Sequence, residues 1–267
     1  MKKMIALGVI FTLAVMSLAA GAKQETSTNV VNIAGDGATK PFQWTEANGQ
    51  MVGYDIDVAN EVAKRAGLTL KWEQTEFPAL FLGLDANKYQ VIVNNLSKTE
   101  ARAAKYIYSD NYYIRNKTVI VARLGRTDIH TIDDLVGKNV PITPRGNTQS
   151  LYLEAYNKEH PNAKINLVVS EAQPTEQING VFTGQFDAAV TEYIIANEVI
   201  RATGAEFTIV ELPEDLQEAI APTKSYFLFS QSSKALQEKW DAALATLITD
   251  GTLKDLSIKY FGSDFSR

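Results

Sequence analysis

The regular exchange of β-patterned runs with helix-patterned runs over residues 30–97 constrains the fold more than any other feature. Residues 30–34, with β-branched Val30, Val31 and Ile33, read as a strand, and a loop containing Gly35, Gly37 and Pro41 follows. Ile56, Val58, Ala59, Val62 and Ala63 then recur at helical spacing, predicting a helix over 58–66 that Gly67 ends. Residues 68–72 alternate as a strand, 77–84 open a second helix, and Val91, Ile92 and Val93 read as a short buried strand. Strand, helix, strand, helix, strand predicts a parallel sheet with crossovers. Ligands of such sheets sit beyond the carboxyl ends of the strands. Three stretches converge there: the loop with Asp36, the region of Phe77, and residues 95–102.

The last of these, Asn95-Leu96-Ser97-Lys98-Thr99-Glu100-Ala101-Arg102, carries the clearest chemistry. Asn95 to Ser97 lie where the strand runs out, and Thr99 opens a turn or short helix with Arg102 one turn along. The guanidinium then points back toward the strand end, where its planar fork suits a carboxylate, with Asn95 and Ser97 offering neutral hydrogen bonds beside it. The alternative for Arg102 is a surface ion pair with Glu100 or Asp110. Phe77 is either a stacking platform or core.

A second α/β unit follows a β-rich run over 117–122, which has the length to cross between lobes. Strands are predicted over 139–143, 165–169 and 186–192, and helices over about 150–158, 175–184 and 193–202. Gly146-Asn147-Thr148-Gln149 precedes the first of these helices, either as an anion site of free N–H groups or as an ordinary cap. Glu192 ends a strand, where it either meets an ammonium group or caps the helix after it. Later strands cover 207–210 and 226–229, the second returning the chain across the hinge. A long amphipathic helix over 235–249 and a short one over 253–261 finish the chain.

Composition excludes several classes. Among 267 residues, 45% are hydrophobic and 21% charged, as in a soluble globular protein, and a net charge of -5 without a basic block excludes nucleic acid as a partner. Two histidines and no cysteine leave no metal or thiol centre to expect. Lys2 and Lys3 before an apolar run to Ala20, then Ala20-Gly21-Ala22, read as a signal peptide over 1–22, followed by a flexible tether over 23–29. Gly21 stands where a lipid-bearing cysteine would be required, so an exported, extracytoplasmic protein without a lipid anchor is expected.

Pro41-Phe42 with Gly53-Tyr54-Asp55-Ile56-Asp57, then residues 96–102 with Tyr108-Ser109-Asp110, Gly146-Asn147-Thr148-Gln149, Asp187-Ala188-Ala189-Val190, Asp250-Gly251-Thr252-Leu253 and Tyr260-Phe261-Gly262 follow one another in a telling order. In these motifs the chain resembles the amino-acid-binding solute receptors of ATP-binding-cassette (ABC) importers over almost its whole mature length. The resemblance implies a two-lobed, periplasmic-binding-protein-like α/β fold of type II, each lobe an α/β sandwich, joined by two hinge strands. Lobe one would comprise 30–117 and 226–267, and lobe two 118–225. It implies a monomer that binds an amino acid by lobe closure and hands it to a membrane permease driven by an ATPase, with no cofactor.

Position by position, the resemblance makes Arg102 the carboxylate-binding arginine, Ser97 and Asn95 its companions, Thr148 the partner from lobe two, and Phe77 a side-chain-stacking aromatic. Asp36, Leu96 and Asn147 complete the expected lining. Glu192 stands where relatives carry an ammonium-binding aspartate, and Thr39 where many carry a stacking tyrosine. The longer glutamate shifts the ammonium or admits a different ligand, and Thr39 makes the pocket less aromatic; Asn95, with no excess of acids, favours a polar, uncharged or zwitterionic ligand such as cystine or glutamine over lysine or arginine. An enzyme resembling the cyclohexadienyl dehydratases is the rival, yet their catalytic acid corresponds to apolar Ile194 or Ile195 here. A sensor or adhesion protein on the same lobes is a third reading.

Overall fold

A computed structural model describes residues 29–144 and 146–267. The expected signal peptide, and all but the last residue of the tether, lie outside the described residues. Among those described, no helix is long and apolar enough to cross a membrane.

The first part of the chain runs β1 (Val30–Gly35), β2 (Ala38–Thr39), β3 (Gln43–Thr45), β4 (Met51–Val52), α1 (Tyr54–Arg65), β5 (Thr69–Gln74), α2 (Phe77–Asp85), β6 (Val91–Ser97), α3 (Glu100–Ala103), β7 (Ile107–Tyr108) and β8 (Ile114–Arg115). Next come β9 (Thr118–Arg123), β10 (Asn139–Ile142), α4 (Thr148–Glu159), β11 (Asn166–Val169), α5 (Pro174–Thr183), β12 (Ala188–Glu192), α6 (Tyr193–Thr203), β13 (Phe207–Glu211) and α7 (Glu214–Ile220). The chain ends with β14 (Lys224–Phe229), α8 (Lys234–Thr249) and α9 (Thr252–Phe261).

The first sheet has the order β5-β1-β6-β14-β7, with β8 on β14. β1 is parallel to β5 and β6, as the crossovers demand, and β14 is antiparallel to β6. Strand alternation sends Ile33, Val91 and Val93 to the face covered by α1, α8 and α9, and Ala34, Ile92 and Leu96 to the face covered by α2. The second half holds an antiparallel sheet, β12-β9-β13, and a parallel pair, β10-β11. It has its own core of Ile120, Leu135, Val140, Leu153 and Ile165, while Val119, Val121 and Ile194 continue the core of the first half. This is the two-lobed, type II arrangement.

Two local expectations change. α1 begins at Tyr54 instead of Val58 because its first turn is buried and needs no polar cap: the N–H groups of Tyr54 and Asp55 donate to Pro41 O (3.2 Å) and Phe42 O (2.9 Å). The strands expected to span the hinge each lie wholly in one sheet, β9 in the second and β14 in the first. The crossings are the short stretches just before them, and they touch where Asn116 N donates to Thr223 O at 2.7 Å.

Candidate functional site

A cleft enclosing about 1070 Å³ of solvent-open space lies between the carboxyl ends of β1 and β6 on one side and α4, α5 and the end of β12 on the other. All nine residues singled out from the sequence line it. They fall into two charged ends and a polar wall.

The cationic end is Arg102. Thr99 caps α3 by accepting from Arg102 N at 3.3 Å, which fixes the turn, and the Arg102 guanidinium donates back to Ser97 O at 3.2 Å. Its central carbon lies 5.2 Å from the Phe81 ring centroid and 5.9 Å from that of Phe77. Burial lowers the Arg102 pKa, partly offset by Tyr108. Among the described residues Arg102 joins no ion pair, so the surface pairing with Glu100 or Asp110 does not form. A half-buried guanidinium that lines a cleft and has no carboxylate partner among the described residues is suited to receive an anion. Phe77 is half-buried and edge-on to Phe81 at 5.4 Å, so it both packs on the α2 core and faces the cleft.

The anionic end is Glu192. Its Oε2 accepts from Asn95 Nδ2 at 2.9 Å and from Asn116 Nδ2 at 2.8 Å, and Gln149 adds a third amide donor. Burial pushes its carboxyl above the ordinary range, and the three amides oppose that shift. The capping alternative for Glu192 is overturned, because its side chain accepts no bond from α6. Lys117 O and Asn116 Oδ1 take the first N–H groups of α6 instead, from Tyr193 (2.8 Å) and Ile194 (3.3 Å). The carboxylate is left to the cleft.

Asn95 sits at this anionic end and does not accompany Arg102. Its backbone has φ 47°, a left-handed conformation that asparagine tolerates better than most residues. Its N–H donates to Tyr113 Oη at 3.1 Å, and its Oδ1 is buried without a partner. Leu96 turns into the α2 core, as alternation requires. Asp36 N donates to Asn94 Oδ1 at 2.8 Å, and Asp36 Oδ1 accepts from Ala38 N.

α4 starts at Thr148, two residues earlier than expected, because Asn147 is its cap: Asn147 Oδ1 accepts from Ser150 N at 2.9 Å. Thr148 Oγ1 donates to Gln149 Oε1 at 3.2 Å. Sequence reasoning missed Gln43, Asn94, Gln149 and Gln177 in the wall, of which only Gln149 stood within a noted motif. It also missed buried Asp55 behind the wall, which accepts from Gln43 Nε2 at 3.3 Å and has one oxygen unpartnered. Burial pushes Asp55 up to about 7, against the opposing hydrogen bonds of Tyr113, Asn95 and Gln43.

A family model for bacterial extracellular solute-binding proteins, family 3, matches residues 31–263. The chain is 31% identical over 268 residues to the probable amino-acid-binding protein YxeM of Bacillus subtilis, covering 100% of this chain and 97% of that protein. It is 29% identical to the L-cystine-binding protein TcyA of the same organism, over 89% of this chain and 83% of that one. A solved structure from work on glutathione import in Gram-positive bacteria via GshT and the cystine ABC importer TcyBC of Streptococcus mutans matches with a TM-score of 0.80. Its identity is 35%, over 89% of this chain and 97% of that chain. With this match over nearly the whole described chain, and with a polar cleft at the strand ends of two α/β lobes, the protein belongs to the bacterial extracellular solute-binding proteins, family 3.

Proposed function

We propose that this protein captures a solute with an α-amino-acid head and presents it to the permease of an ABC importer. The observation that carries the reading is the pairing, in one cleft, of a half-buried Arg102 without an ion partner among the described residues and a half-buried Glu192 held by neutral amides. Arg102 takes the α-carboxylate and Glu192 the α-ammonium, each lobe contributing one charge. Lobe one, up to the first crossing and from β14 onward, and lobe two, from β9 to α7, therefore satisfy the head together only when closed, and the ligand favours closure by that differential affinity. Thr148 at the start of α4 and Ser97 at the end of β6 add hydrogen-bonding groups near the carboxylate.

The ligand tail faces Gln43, Asn94, Asn147 and Gln177 with Thr39, a wall dominated by amides and suited to cystine or glutamine, with the Asp36 carboxylate beside it. A second reading is glutathione, whose γ-glutamyl end carries the same α-ammonium and α-carboxylate. The likeness to the structure from the glutathione-import work supports it, as does the small Thr39 where a tyrosine would fill the cleft. The protein acts as an exported, monomeric receptor with an ATPase beyond the permease, and it binds without catalysis: the positions where dehydratases of this fold hold their acid carry Ile194, packed in the core, and Ile195, which gives the cleft an apolar side chain with no proton to transfer.

Thermal shift of residues 23–267 against all amino acids, cystine, glutathione and prephenate, repeated on Arg102→Ala, tests this. A ligand that binds only the folded state raises the midpoint, by about 2.7 kcal/mol of stabilisation at a hundredfold excess over Kd. Stabilisation by glutamine, cystine or glutathione in the wild type, lost in the variant, is the expected result. An equal response of both proteins removes the clamp, and turnover of prephenate replaces the receptor by an enzyme.

A further inference from the structure

Glu192 is held in part from outside the cleft. Asn116 lies between β8 and β9, in the first crossing between the sheets; it is 5% exposed and does not line the cavity. Its Nδ2 donates to Glu192 Oε2 at 2.8 Å. Its Oδ1 accepts from Lys117 N at 2.8 Å and from Ile194 N at 3.3 Å, in the first turn of α6. Its backbone N–H donates to Thr223 O, at 2.7 Å, in the return crossing. One residue thus touches both crossings, the helix that follows Glu192, and the carboxylate itself.

We propose that Asn116 is a positioning residue for ammonium recognition, which fixes the Glu192 carboxylate toward the cleft and makes the geometry of the crossings part of the binding site. A glutamate has three side-chain torsions to order, and donors on one of its oxygens remove that freedom before a ligand arrives. The neutral amide is the right chemistry. A lysine or arginine there would neutralise Glu192 and compete with the incoming cation, while an aspartate would repel the carboxylate. Asn95 alone does not do the same work, because it lines the cleft at the end of β6 and holds Glu192 from the ligand's side, whereas Asn116 holds it from the crossing beside α6.

The inference rests on the reading of Glu192 as the ammonium acceptor, and a double-mutant cycle separates the two. L-glutamine, L-cystine and glutathione are titrated calorimetrically into the wild type, Asn116→Ala, Glu192→Gln and the double variant. The expected result is a loss of roughly tenfold in affinity for Asn116→Ala with Glu192 present, the scale of one hydrogen bond to a charged group, and less than twofold in the Glu192→Gln background. Equal losses in both backgrounds reduce Asn116 to a structural part of the hinge and overturn the proposal, as does no loss in either. An unchanged affinity in Glu192→Gln alone removes the ammonium reading itself.

Where Glu192→Gln abolishes measurable binding, carboxyl-carbon NMR of the unliganded protein decides. The Glu192 titration must move upward in Asn116→Ala, because a donor to its charged form is gone, and an unmoved titration overturns the proposal. Asn116→Ser, which keeps a hydroxyl acceptor at the turn but is too short to reach Glu192, replaces Asn116→Ala if that variant does not fold.

Discussion

At the residue scale the site depends on charges placed where their own lobe cannot satisfy them. Arg102→Lys keeps the charge but loses the fork, and its ammonium hydrates more strongly than a guanidinium packed on Phe77 and Phe81. An affinity loss of at least about tenfold, read by calorimetry, is expected for the ligand found by the thermal screen. Asp55 provides a test independent of ligand. Its carboxyl is raised from 3.8 to about 7, so between those values the folded state binds more protons than the unfolded chain. Stability from this group is complete at low pH and falls as pH rises toward 7, by roughly 1.4 kcal/mol per pH unit. Asp55→Asn removes that fall, so its denaturation midpoint changes less than the wild type's between pH 5 and 7. Arg102 was legible from its one-turn spacing after the strand end. Asp55 was not, because its burial comes from Gln43 and Tyr113, which reach it only in the folded chain.

At the element scale, the start of α1 shows how backbone contacts replace sequence signals. Gly53 has φ 133°, and a Cβ there would lie 2.3 Å from Phe42 O, in the loop whose carbonyls take the first N–H groups of the helix. Gly53→Ala therefore costs on the order of 3 kcal/mol, a fall in Tm of about 6–12 °C for a chain of this size, measured by calorimetry. The same Cβ would lie 2.8 Å from Gln43 Cα and push Gln43 from its hydrogen bond to Asn94 in the cleft wall, so ligand affinity falls with it. Helix periodicity marked α1, α4, α5, α6, α8 and α9 to within a few residues. It missed the true starts of α1 and α4 because those caps are a loop backbone and an asparagine three residues ahead of the expected helix. The choice between capping and binding for Glu192 was open in the sequence, since a carboxylate before a helix fits both. Asn116, 76 residues earlier, excludes the cap by taking the Ile194 N–H itself and holding the Glu192 carboxylate away from α6.

At the scale of the whole molecule, the proposed function makes binding and lobe closure one process. The cleft draws residues 36–102 from one lobe and 143–195 from the other, so a ligand that engages Arg102 and Glu192 together shifts the population toward the closed form. Solution scattering should show a smaller radius of gyration when a saturating ligand is added, and no contraction in Arg102→Ala. The sequence by itself determined the strand–helix alternation, the parallel half-sheet and the Arg102 turn, because those depend on spacing along a few neighbouring residues. Only the tertiary structure decided that Asn95 serves Glu192 instead of Arg102, that Asn116 frees that carboxylate from capping, and that Asp55 is buried behind the wall. Each of those outcomes follows from hydrogen bonds between segments far apart in the chain, which no local pattern of residues records.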